Sequence, residues 1–433
     1  MSTEKQPVGV VGVGWVGLVT AACFAELGHP VIARDIVSEK VESLSRGETT
    51  IHEPGLDELL ARNAERLVFT TDMGELLEGA RLLFVCVDTP PTVSGDADLS
   101  RVRSVVEELR ADGDHVLVMK STVPAGTGES IRREMPGLSY VSCPEFLKEG
   151  SAVEDFMHPD RVVIGADAGD EEAARAVAAL YEPLGGEIVR TDVASAEMIK
   201  LASNAFLATK ISFINEIANV CEEVGADVGE VSRGMGLDER IGPSFLRAGI
   251  GYGGSCFPKD VTALKMLAGN TGYHFQLLNA VIEVNELQKR RVIGKLQGRL
   301  GSLVGKRVAL LGLAFKPDTD DMREASSLVL AARLQGEGAE VVAYDPVADE
   351  RAADLLPAVE MSGSGLEALE GADAAVLVTE WPEFAKLDWS EAAGRMARPL
   401  LVDGRNFLDG DVLRAAGFEY EGIGIPTAVR QEA

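Results

Sequence analysis

The chain has 433 residues, of which 46% are hydrophobic and 25% charged, as in a globular protein of two or three domains. It has 41 basic and 69 acidic residues, so its formal net charge of −28 argues against nucleic acid as a partner. The five cysteines are widely spaced and the five histidines are scattered, so we expect neither a disulfide framework nor a metal site. Such cysteines are typical of reduced thiols, which predicts a cytoplasmic protein.

The first predicted unit is a strand, a tight turn and a helix. Pro7 to Val13 is a β-rich run, and a helical stretch continues to Leu27. The glycine-rich turn between them consists of Gly12, Val13, Gly14, Trp15, Val16 and Gly17. Such glycines allow a pyrophosphate to approach the backbone at a helix N-terminus. They also interrupt the apolar run, so a strand–turn–helix explains it better than a signal peptide or a membrane span.

The next predicted strand, Val31 to Asp35, ends in a carboxylate. Asp35 follows Gly12 by 23 positions, the spacing at which dinucleotide-binding βαβ units carry an acid for the ribose hydroxyls. Because this carboxylate should repel a 2′-phosphate, NAD is the expected cofactor. Arg34, beside it, leaves NADP open.

Two further strands are predicted at Leu82 to Val87 and at Val116 to Lys120. The loops that follow them are Asp88 to Pro91 and Ser121 to Pro124. Ligands of doubly wound sheets bind at the carboxyl ends of strands, so both loops are expected to face the cofactor. Termination of a strand by proline explains either loop equally well on its own.

Apolar residues recur every three or four positions from Ser195 to Val224, which predicts one long helix. The stripe is formed by Ile199, Ala202, Phe206, Thr209, Phe213, Ile217, Val220 and Val224. Lys200 and Asn204 lie four positions apart on another face, where a lysine is ordinarily solvated. A long helix between two α/β regions is also suited to dimer contacts.

The last third of the chain contains segments that are similar in sequence to segments of the first third. Glu26 to Asp35 is similar to Gly336 to Asp345, and Gly79 to Pro90 is similar to Gly371 to Pro382. Two matched pieces in the same order predict a second sheet of the same kind. The expected fold class is therefore α/β, with two Rossmann-like parallel-sheet domains joined by a helical central region that contains the long helix.

The octapeptide Gly253 to Asp260 carries the clearest chemistry. It sets Cys256 between glycines on one side and Lys259 on the other. A neighbouring cation favours the thiolate, which is the nucleophilic form, and the glycines let a ligand approach the backbone. On this segment alone, a nucleophile and a buried structural thiol are equally supported. Together with the dinucleotide fingerprint, Cys256 indicates covalent catalysis coupled to hydride transfer.

From about Val8 to Pro426 the chain resembles the nucleotide-sugar 6-dehydrogenases, the UDP-glucose/GDP-mannose dehydrogenase family. The motifs that carry the resemblance are Gly12 to Gly17, Ser121 to Pro124, Pro144 to Glu149, Lys200 to Asn204, Gly251 to Asp260, Phe315 to Arg323, and Asp403 to Arg405. It implies NAD-dependent oxidation of UDP-glucose to UDP-glucuronate in two steps. GDP-mannose or another nucleotide sugar is the alternative substrate, and Phe257 favours UDP-glucose over GDP-mannose. A non-catalytic NAD or nucleotide-sugar sensor is the alternative of another class.

The resemblance also implies a covalent stage at Cys256. The thiolate would trap the aldehyde as a thiohemiacetal, and the second oxidation would give a thioester that water hydrolyses. Lys200 would exchange protons and, with Asn204, stabilise developing oxyanions. Glu145 would act as the general base for hydrolysis.

Thr122 and Asp260 would position the water used in hydrolysis. Asp260 has another interpretation, as the cap of a helix that begins near Val261. Three departures from the family pattern, Tyr252, Cys143 and Ala125, remove no catalytic group.

The resemblance assigns binding residues and domains as well. Around NAD it places Gly12 to Gly17, Asp35, Lys40, Thr89, Thr122, Glu149, Lys259 and Arg323. Around the nucleotide sugar it places Glu145, Phe146, Leu147, Lys148, Glu149, Lys200, Asn204, Arg240, Arg247, Ile250, Tyr252, Gly253, Phe315, Lys316 and Arg405. Arg240 matches an arginine lent to the neighbouring subunit, which implies a homodimer or higher homo-oligomer. The expected domains are an NAD-binding domain (1–194), a helical central and dimerisation domain (195–300), and a nucleotide-sugar-binding α/β domain (301–433).

Overall fold

The computed structural model describes residues 5–109 and 114–426. The chain divides into two compact units. The first consists of Met1–Ser203 and Thr262–Tyr273, and the second of Asn204–Val261 and His274–Ala433. Each unit contains one β-sheet.

The first unit contains an eight-stranded sheet. Its strands are β1 (Val8–Val11), β2 (Val31–Arg34), β3 (Leu67–Thr70), β4 (Leu82–Val85), β5 (Val116–Met119), β6 (Ser139–Ser142), β7 (Arg161–Gly165) and β8 (Glu187–Thr191). They lie in the order β3-β2-β1-β4-β5-β6-β7-β8, and every neighbouring pair is parallel except β6 and β7. The central strands β1, β4 and β5 are fully buried, as expected for apolar strands covered on both faces.

The second unit contains a six-stranded, all-parallel sheet. Its strands are β9 (Arg307–Leu311), β10 (Glu340–Tyr344), β11 (Glu360–Met361), β12 (Ala374–Leu377), β13 (Leu400–Asp403) and β14 (Glu419–Gly422). Their order, β11-β10-β9-β12-β13-β14, repeats the order of the first six strands of the other sheet. The predicted second sheet and the α/β fold class are confirmed.

Helices connect the strands and form the region between the sheets in sequence. They are α1 (Trp15–Glu26), α2 (Ser38–Ser45), α3 (Leu56–Arg62), α4 (Met73–Gly79), α5 (Ser100–Glu108), α6 (Thr127–Glu134), α7 (Ala152–Met157), α8 (Glu171–Tyr181), α9 (Val193–Val224), α10 (Val228–Gly236), α11 (Phe257–Asn270), α12 (Gln276–Gln288), α13 (Arg291–Leu300), α14 (Ser326–Gly336), α15 (Asp349–Leu355), α16 (Gly365–Ala368), α17 (Trp389–Arg395) and α18 (Gly410–Ala415). Short 3-10 helices lie at Ala64–Arg66, Glu182–Leu184 and Phe384–Lys386. Within the described ranges, no helix has both the length and the apolar character needed to cross a membrane.

The long helix α9 confirms the predicted helix and changes the interpretation of its stripe. Four large members of the stripe are exposed: Phe206 at 66%, Phe213 at 48%, Val220 at 56% and Val224 at 70%. The buried positions of the helix instead carry mostly smaller residues, such as Ala205, Ala208 and Ala218. The apolar periodicity therefore marks an uncovered face of α9 as well as a helix.

The turn after β1 depends on close backbone contact. Gly12 has a φ of +89°, a left-handed conformation that favours glycine. A Cβ atom on Gly17, in the first turn of α1, would lie 1.8 Å from the carbonyl oxygen of Gly12. The helix can therefore approach the turn this closely only with glycine at position 17.

We predict that Gly17→Ala destabilises the protein through this contact. The added methyl group overlaps the Gly12 carbonyl, so the free energy of unfolding should fall by about 1–3 kcal/mol. Gly14→Ala is the matched control, because its Cβ would meet only Asp88 Oδ1, at 3.9 Å. Urea unfolding without NAD measures both variants. Equal stability of the two variants would contradict the steric account.

Candidate active site

In the first unit, the carboxylate after β2 is built into the glycine-rich turn. Asp35 is buried, and its Oδ2 accepts a hydrogen bond of 2.9 Å from the backbone N–H of Val13. Its Oδ1 accepts one of 3.0 Å from the N–H of Val37. Lys40 Nζ lies 3.4 Å from Oδ2. A fixed carboxylate beside a glycine turn at a helix N-terminus fits the ribose and pyrophosphate of a dinucleotide.

The two loops expected to face the cofactor are joined to each other. Thr89 is buried, and its hydroxyl donates a 2.8 Å hydrogen bond to the carbonyl oxygen of Thr122. The Ser121 hydroxyl donates to the carbonyl oxygen of Val87, 2.6 Å away. These loops therefore form a connected edge at the carboxyl ends of β4 and β5.

Glu145 and Lys200 form a buried ion pair in the first unit. Lys200 Nζ lies 2.9 Å from Glu145 Oε1, and both side chains are at most 5% exposed. The interpretation of Lys200 as a solvated surface lysine is therefore wrong. Glu145 Oε2 also accepts a 2.6 Å hydrogen bond from the N–H of Leu147. Burial by itself raises the pKa of Glu145, but the Lys200 ammonium and this N–H outweigh burial, so the pKa lies below its ordinary value.

The residues after Glu145 have different environments. The Phe146 ring lies 4.0 Å from the Arg161 guanidinium and 5.4 Å from Lys200 Nζ, both in cation–π geometry. Lys148 is mostly exposed and pairs with Asp155. Leu147, which was also predicted, packs against the apolar core. Glu149, the last of the predicted positions in this segment, is buried.

Glu53 is a site residue that sequence reasoning missed. It is buried, and its carboxylate accepts hydrogen bonds from Trp15 Nε1 at 2.9 Å, Gly150 N at 2.8 Å and Ala152 N at 2.7 Å. It therefore ties the start of α1 to the loop that carries Glu145. In the sequence, Glu53 is only an acidic residue in a segment that also contains a proline and a glycine. Its partners lie 38 to 99 positions away, so the sequence around it does not indicate these contacts.

Glu197 on α9 is a second missed residue. Its carboxylate accepts hydrogen bonds from Gly126 N at 2.7 Å and Gly128 N at 2.9 Å, at the start of α6. Burial raises the pKa of Glu197 to about 7. The carboxylate connects α9, which carries Lys200, to the segment that follows Thr122.

In the second unit, Cys256 immediately precedes helix α11. Its carbonyl oxygen accepts the 2.8 Å hydrogen bond of Asp260 N, which makes Cys256 the first residue of the helical hydrogen-bond pattern. A helix N-terminus stabilises negative charge, and therefore a thiolate. Cys256 is the one partly exposed cysteine, whereas the other four are buried. Burial raises the pKa of Cys23, Cys86 and Cys221.

Asp260 lies inside the first turn of α11 and is fully buried. Since the helix begins at Phe257, the interpretation of Asp260 as the cap of a helix near Val261 is wrong. Its two oxygens accept hydrogen bonds of 2.6 Å from Asn204 Nδ2 and from Lys259 Nζ. The second unit thus holds Asn204, Lys259 and Asp260 in one polar cluster.

The second unit also contains a cavity of about 270 Å³. Its lining includes six of the residues predicted to bind the nucleotide sugar: Arg247, Tyr252, Gly253, Phe315, Lys316 and Arg405. Ile250, a seventh, is fully buried in the apolar core. The cavity is therefore the place in the described structure where the predicted nucleotide-sugar residues of the second unit meet.

Arg405 organises the wall of this cavity. Its guanidinium donates to the carbonyl oxygens of Val378 at 2.7 Å, Gly251 at 2.9 Å and Phe315 at 3.3 Å. Its Nε also lies 3.4 Å from Glu380 Oε2. Arg405 therefore joins three segments of backbone, in addition to carrying charge.

Two predicted arginines lie outside the cavity lining. The Arg240 side chain is 88% exposed and pairs with Asp238 at 2.6 Å. Arg323 pairs with Asp321 at 2.7 Å, and its carbonyl oxygen accepts the N–H of Gly254.

Comparisons with known proteins agree with this arrangement. Three models of the UDP-glucose/GDP-mannose dehydrogenase family match in order: its NAD binding domain (residues 6–185), its central domain (194–287) and its UDP binding domain (309–410). The chain is 46% identical over 427 residues to a UDP-glucose 6-dehydrogenase of Bacillus subtilis, which covers 96% of this chain and 97% of that protein. The match to the NAD binding domain confirms NAD as the cofactor.

Solved structures show the same similarity. A UDP-glucose dehydrogenase from the archaeon Pyrobaculum islandicum has a TM-score of 0.90 and 38% identity, covering 98% of this chain and 99% of that one. A GDP-mannose dehydrogenase from Pseudomonas aeruginosa has a TM-score of 0.52 and 30% identity, covering 96% and 99%.

We predict that Lys200→Met reverses the contribution of Glu145 to the pH dependence of the free energy of unfolding. In the native protein the lowered pKa of Glu145 adds stability above the unfolded-state pKa, and this stability is lost as the pH falls through the folded-state pKa. Without the ammonium, only the N–H of Leu147 and the charge of Lys120 still oppose burial, so we expect the pKa of Glu145 to rise and the variant to regain stability as the pH falls. At pH 7 its free energy of unfolding should be lower by about 3–5 kcal/mol.

Urea unfolding at pH 5 and pH 8 measures this change. Lys148→Met is the matched control, since its exposed pair with Asp155 should contribute less than about 1 kcal/mol. The double variant Glu145→Gln/Lys200→Met should recover much of the lost stability. A double variant as unstable as Lys200→Met at both pH values would refute the ion-pair explanation.

Proposed function

The chain belongs to the UDP-glucose/GDP-mannose dehydrogenase family and is an NAD-dependent dehydrogenase, and from this premise we propose that it oxidises UDP-glucose to UDP-glucuronate. The observation that carries this proposal is the cavity of the second unit, lined by Phe315, Lys316 and Arg405, within a chain that also has the NAD-binding turn. UDP-glucose is favoured over GDP-mannose by the higher TM-score and identity to the UDP-glucose enzyme.

We propose a two-stage oxidation through Cys256. First, the primary alcohol at C6 of the glucose loses a proton and a hydride and becomes an aldehyde. The Cys256 thiolate then adds to the aldehyde carbon, which forms a C–S bond and a thiohemiacetal. Loss of a second hydride gives a thioester. Water breaks the C–S bond, which releases the carboxylate and restores the thiol. When bound, NAD would supply the acceptor for one hydride in each oxidation.

The polar side chains that the resemblance assigns to catalysis have roles in this proposal. Lys200 exchanges the proton of the alcohol and stabilises the oxyanions, and Asn204 donates a further hydrogen bond. Glu145, held ionised by its lowered pKa, accepts the proton of the hydrolytic water. Thr122 and Asp260 orient that water.

We further propose that the chain forms at least a homodimer. The uncovered face of α9, with Phe206, Phe213 and Val220 exposed, is the kind of apolar surface that subunits bury.

We also propose that the chain has three domains, with boundaries at 194/195 and 300/301. We propose a cytoplasmic location as well, because the five free thiols favour it.

The central prediction is the stoichiometry of the reaction. With excess NAD and limiting UDP-glucose, the purified protein should produce two NADH per UDP-glucose. Cys256→Ser should abolish this turnover or stop it near one NADH, because no thioester can form. A native ratio near one, or full two-NADH turnover by the variant, would refute the covalent role of Cys256. Turnover of GDP-mannose but not UDP-glucose would support the alternative substrate.

A second prediction concerns the neighbouring subunit. If the exposed Arg240 serves the site of another copy, Arg240→Ala should weaken UDP-glucose binding about tenfold or more and leave NAD binding within twofold. Isothermal titration measures both ligands, and light scattering checks that the variant keeps its assembly. An equal loss of both affinities would indicate a defect of folding or assembly instead.

A further inference from the structure

The loop that leads to Cys256 is bound by a side chain of α12. Asn285 is buried, and its Oδ1 accepts a 2.8 Å hydrogen bond from the backbone N–H of Tyr252. Its Nδ2 donates a 3.1 Å hydrogen bond to the carbonyl oxygen of the same residue. Rotating the amide would set donor against donor and acceptor against acceptor, so this orientation is fixed. One side chain thus pairs with both backbone polar groups of Tyr252, as a residue of a neighbouring antiparallel strand does.

The segment before Tyr252 lies equally close to α12. Gly251 has a φ of +87°, and a Cβ atom on it would lie 2.6 Å from Asn285 Oδ1. One turn farther along the helix, Gln288 Nε2 donates a 2.8 Å hydrogen bond to the carbonyl oxygen of Gly249. Two amide side chains of α12 therefore hold the backbone of this loop, and Asn285 holds the end nearer to Cys256.

Two contacts extend this support to both sides of Cys256. The Tyr252 ring packs edge-to-face on the ring of Phe257, the residue after the cysteine, with ring centroids 5.8 Å apart. Before the cysteine, the N–H of Gly254 donates a 2.8 Å hydrogen bond to the carbonyl oxygen of Arg323. Displacing Tyr252 would therefore shift the loop on one side of the cysteine and Phe257 on the other. The place of the thiol at the start of α11 depends on both.

We propose that Asn285 is a positioning residue for Cys256. It fixes Tyr252, and Tyr252 fixes the approach of the chain to the first turn of α11, where a helix N-terminus favours the thiolate. Tyr252 and Gly253 belong to the described cavity lining but Asn285 does not, so Asn285 acts through Tyr252 and not on a ligand. The inference rests on the proposed function for the use of Cys256 as a nucleophile, whereas the reactivity of the thiol is measurable without that reaction.

The test replaces the amide of Asn285 by a carboxyl group. In Asn285→Asp an ionised carboxylate still accepts the N–H of Tyr252, but it sets a second acceptor against the Tyr252 carbonyl oxygen. A protonated carboxyl has one donor and one acceptor, as the amide has, and restores both hydrogen bonds. Asn285→Leu introduces a side chain of similar size that can form neither hydrogen bond.

The charges near position 285 leave burial to decide the protonation of the introduced carboxyl. On α12 the neighbouring charged residues, Glu286 and Lys289, lie 2.8 Å apart as an ion pair. Glu324 Oε2, on the segment that packs against Gly253, lies 3.9 Å from Lys289 Nζ. Because these two carboxylates balance the charge of Lys289, we expect burial to raise the pKa of the introduced carboxyl.

Alkylation by iodoacetamide reports on Cys256, because the other four cysteines are buried. At pH 8 the thiol of Asn285→Asp should react about fivefold or more slowly than the native thiol, because it is no longer held at the helix N-terminus. At pH 6 its rate should return to within about twofold of native, since the protonated carboxyl restores the pairing. Asn285→Leu should be slow at both pH values. The matched control, Asn279→Asp, changes an amide of the same helix that contacts His274, and should match native at both.

Native-like alkylation of a folded Asn285→Asp variant at pH 8 would overturn the inference, and so would equal slowing at both pH values. If neither variant folds, hydrogen–deuterium exchange of the native protein decides. The amide of Tyr252 should then exchange as slowly as those of the buried strand β9, and exchange as fast as that of the exposed segment around Arg240 would overturn the inference. The expected alkylation in all variants, without oxidation of UDP-glucose by the native protein, would overturn the proposed function alone and leave the positioning of Cys256 in place.

Discussion

Both sheets depend on the same interaction, in which a carboxylate after the second strand accepts backbone N–H groups from the turn after the first strand. Asp35 accepts from Val13 N, and Asp345 accepts from Leu313 N at 2.6 Å and Ala314 N at 3.0 Å. Both carboxylates are buried, so these charge-assisted bonds form where water does not compete. They fix a turn at the carboxyl end of the first strand, where ligands of such sheets bind.

The two sheets differ in what else their carboxylate binds. In the second sheet the indole of Trp381 donates to Asp345 Oδ2 at 3.0 Å, and Asp345 is completely buried. That carboxylate has no room for ribose hydroxyls. Ligand recognition in the second unit therefore falls to the neighbouring loops, which Arg405 joins through three carbonyl oxygens. A similar topology thus serves two different kinds of binding site.

Much of the fold could be predicted because its signals are local. The strand at Val8–Val11, the glycine turn and the acid after β2 lie close together in sequence and occur in their expected order. The similarity between the first and last thirds of the sequence predicted the second sheet for the same reason. The burial of Lys200 had no such signal, since its partner Glu145 is 55 positions away.

The side chains that form hydrogen bonds with distant backbone groups were the hardest to predict. Asn285 on α12 accepts from Tyr252 N at 2.8 Å and donates to Tyr252 O at 3.1 Å, thereby fixing the cavity loop. In the sequence it is only a polar residue within a helical pattern, 33 positions from that loop. Such contacts become visible only when the tertiary structure shows which backbone groups need a partner.

The net charge of the protein sets a final constraint on how it binds an anionic nucleotide. Several predicted site cations are held before any ligand arrives: Lys40 by Asp35, Lys259 by Asp260, Arg323 by Asp321 and Arg405 by backbone carbonyl oxygens. Cations fixed in this way lose little side-chain entropy on binding. At physiological ionic strength, charges beyond about 8 Å are largely screened, so the net charge of −28 has little influence inside the site. Affinity for the nucleotide is therefore decided by short-range geometry, and not by long-range attraction.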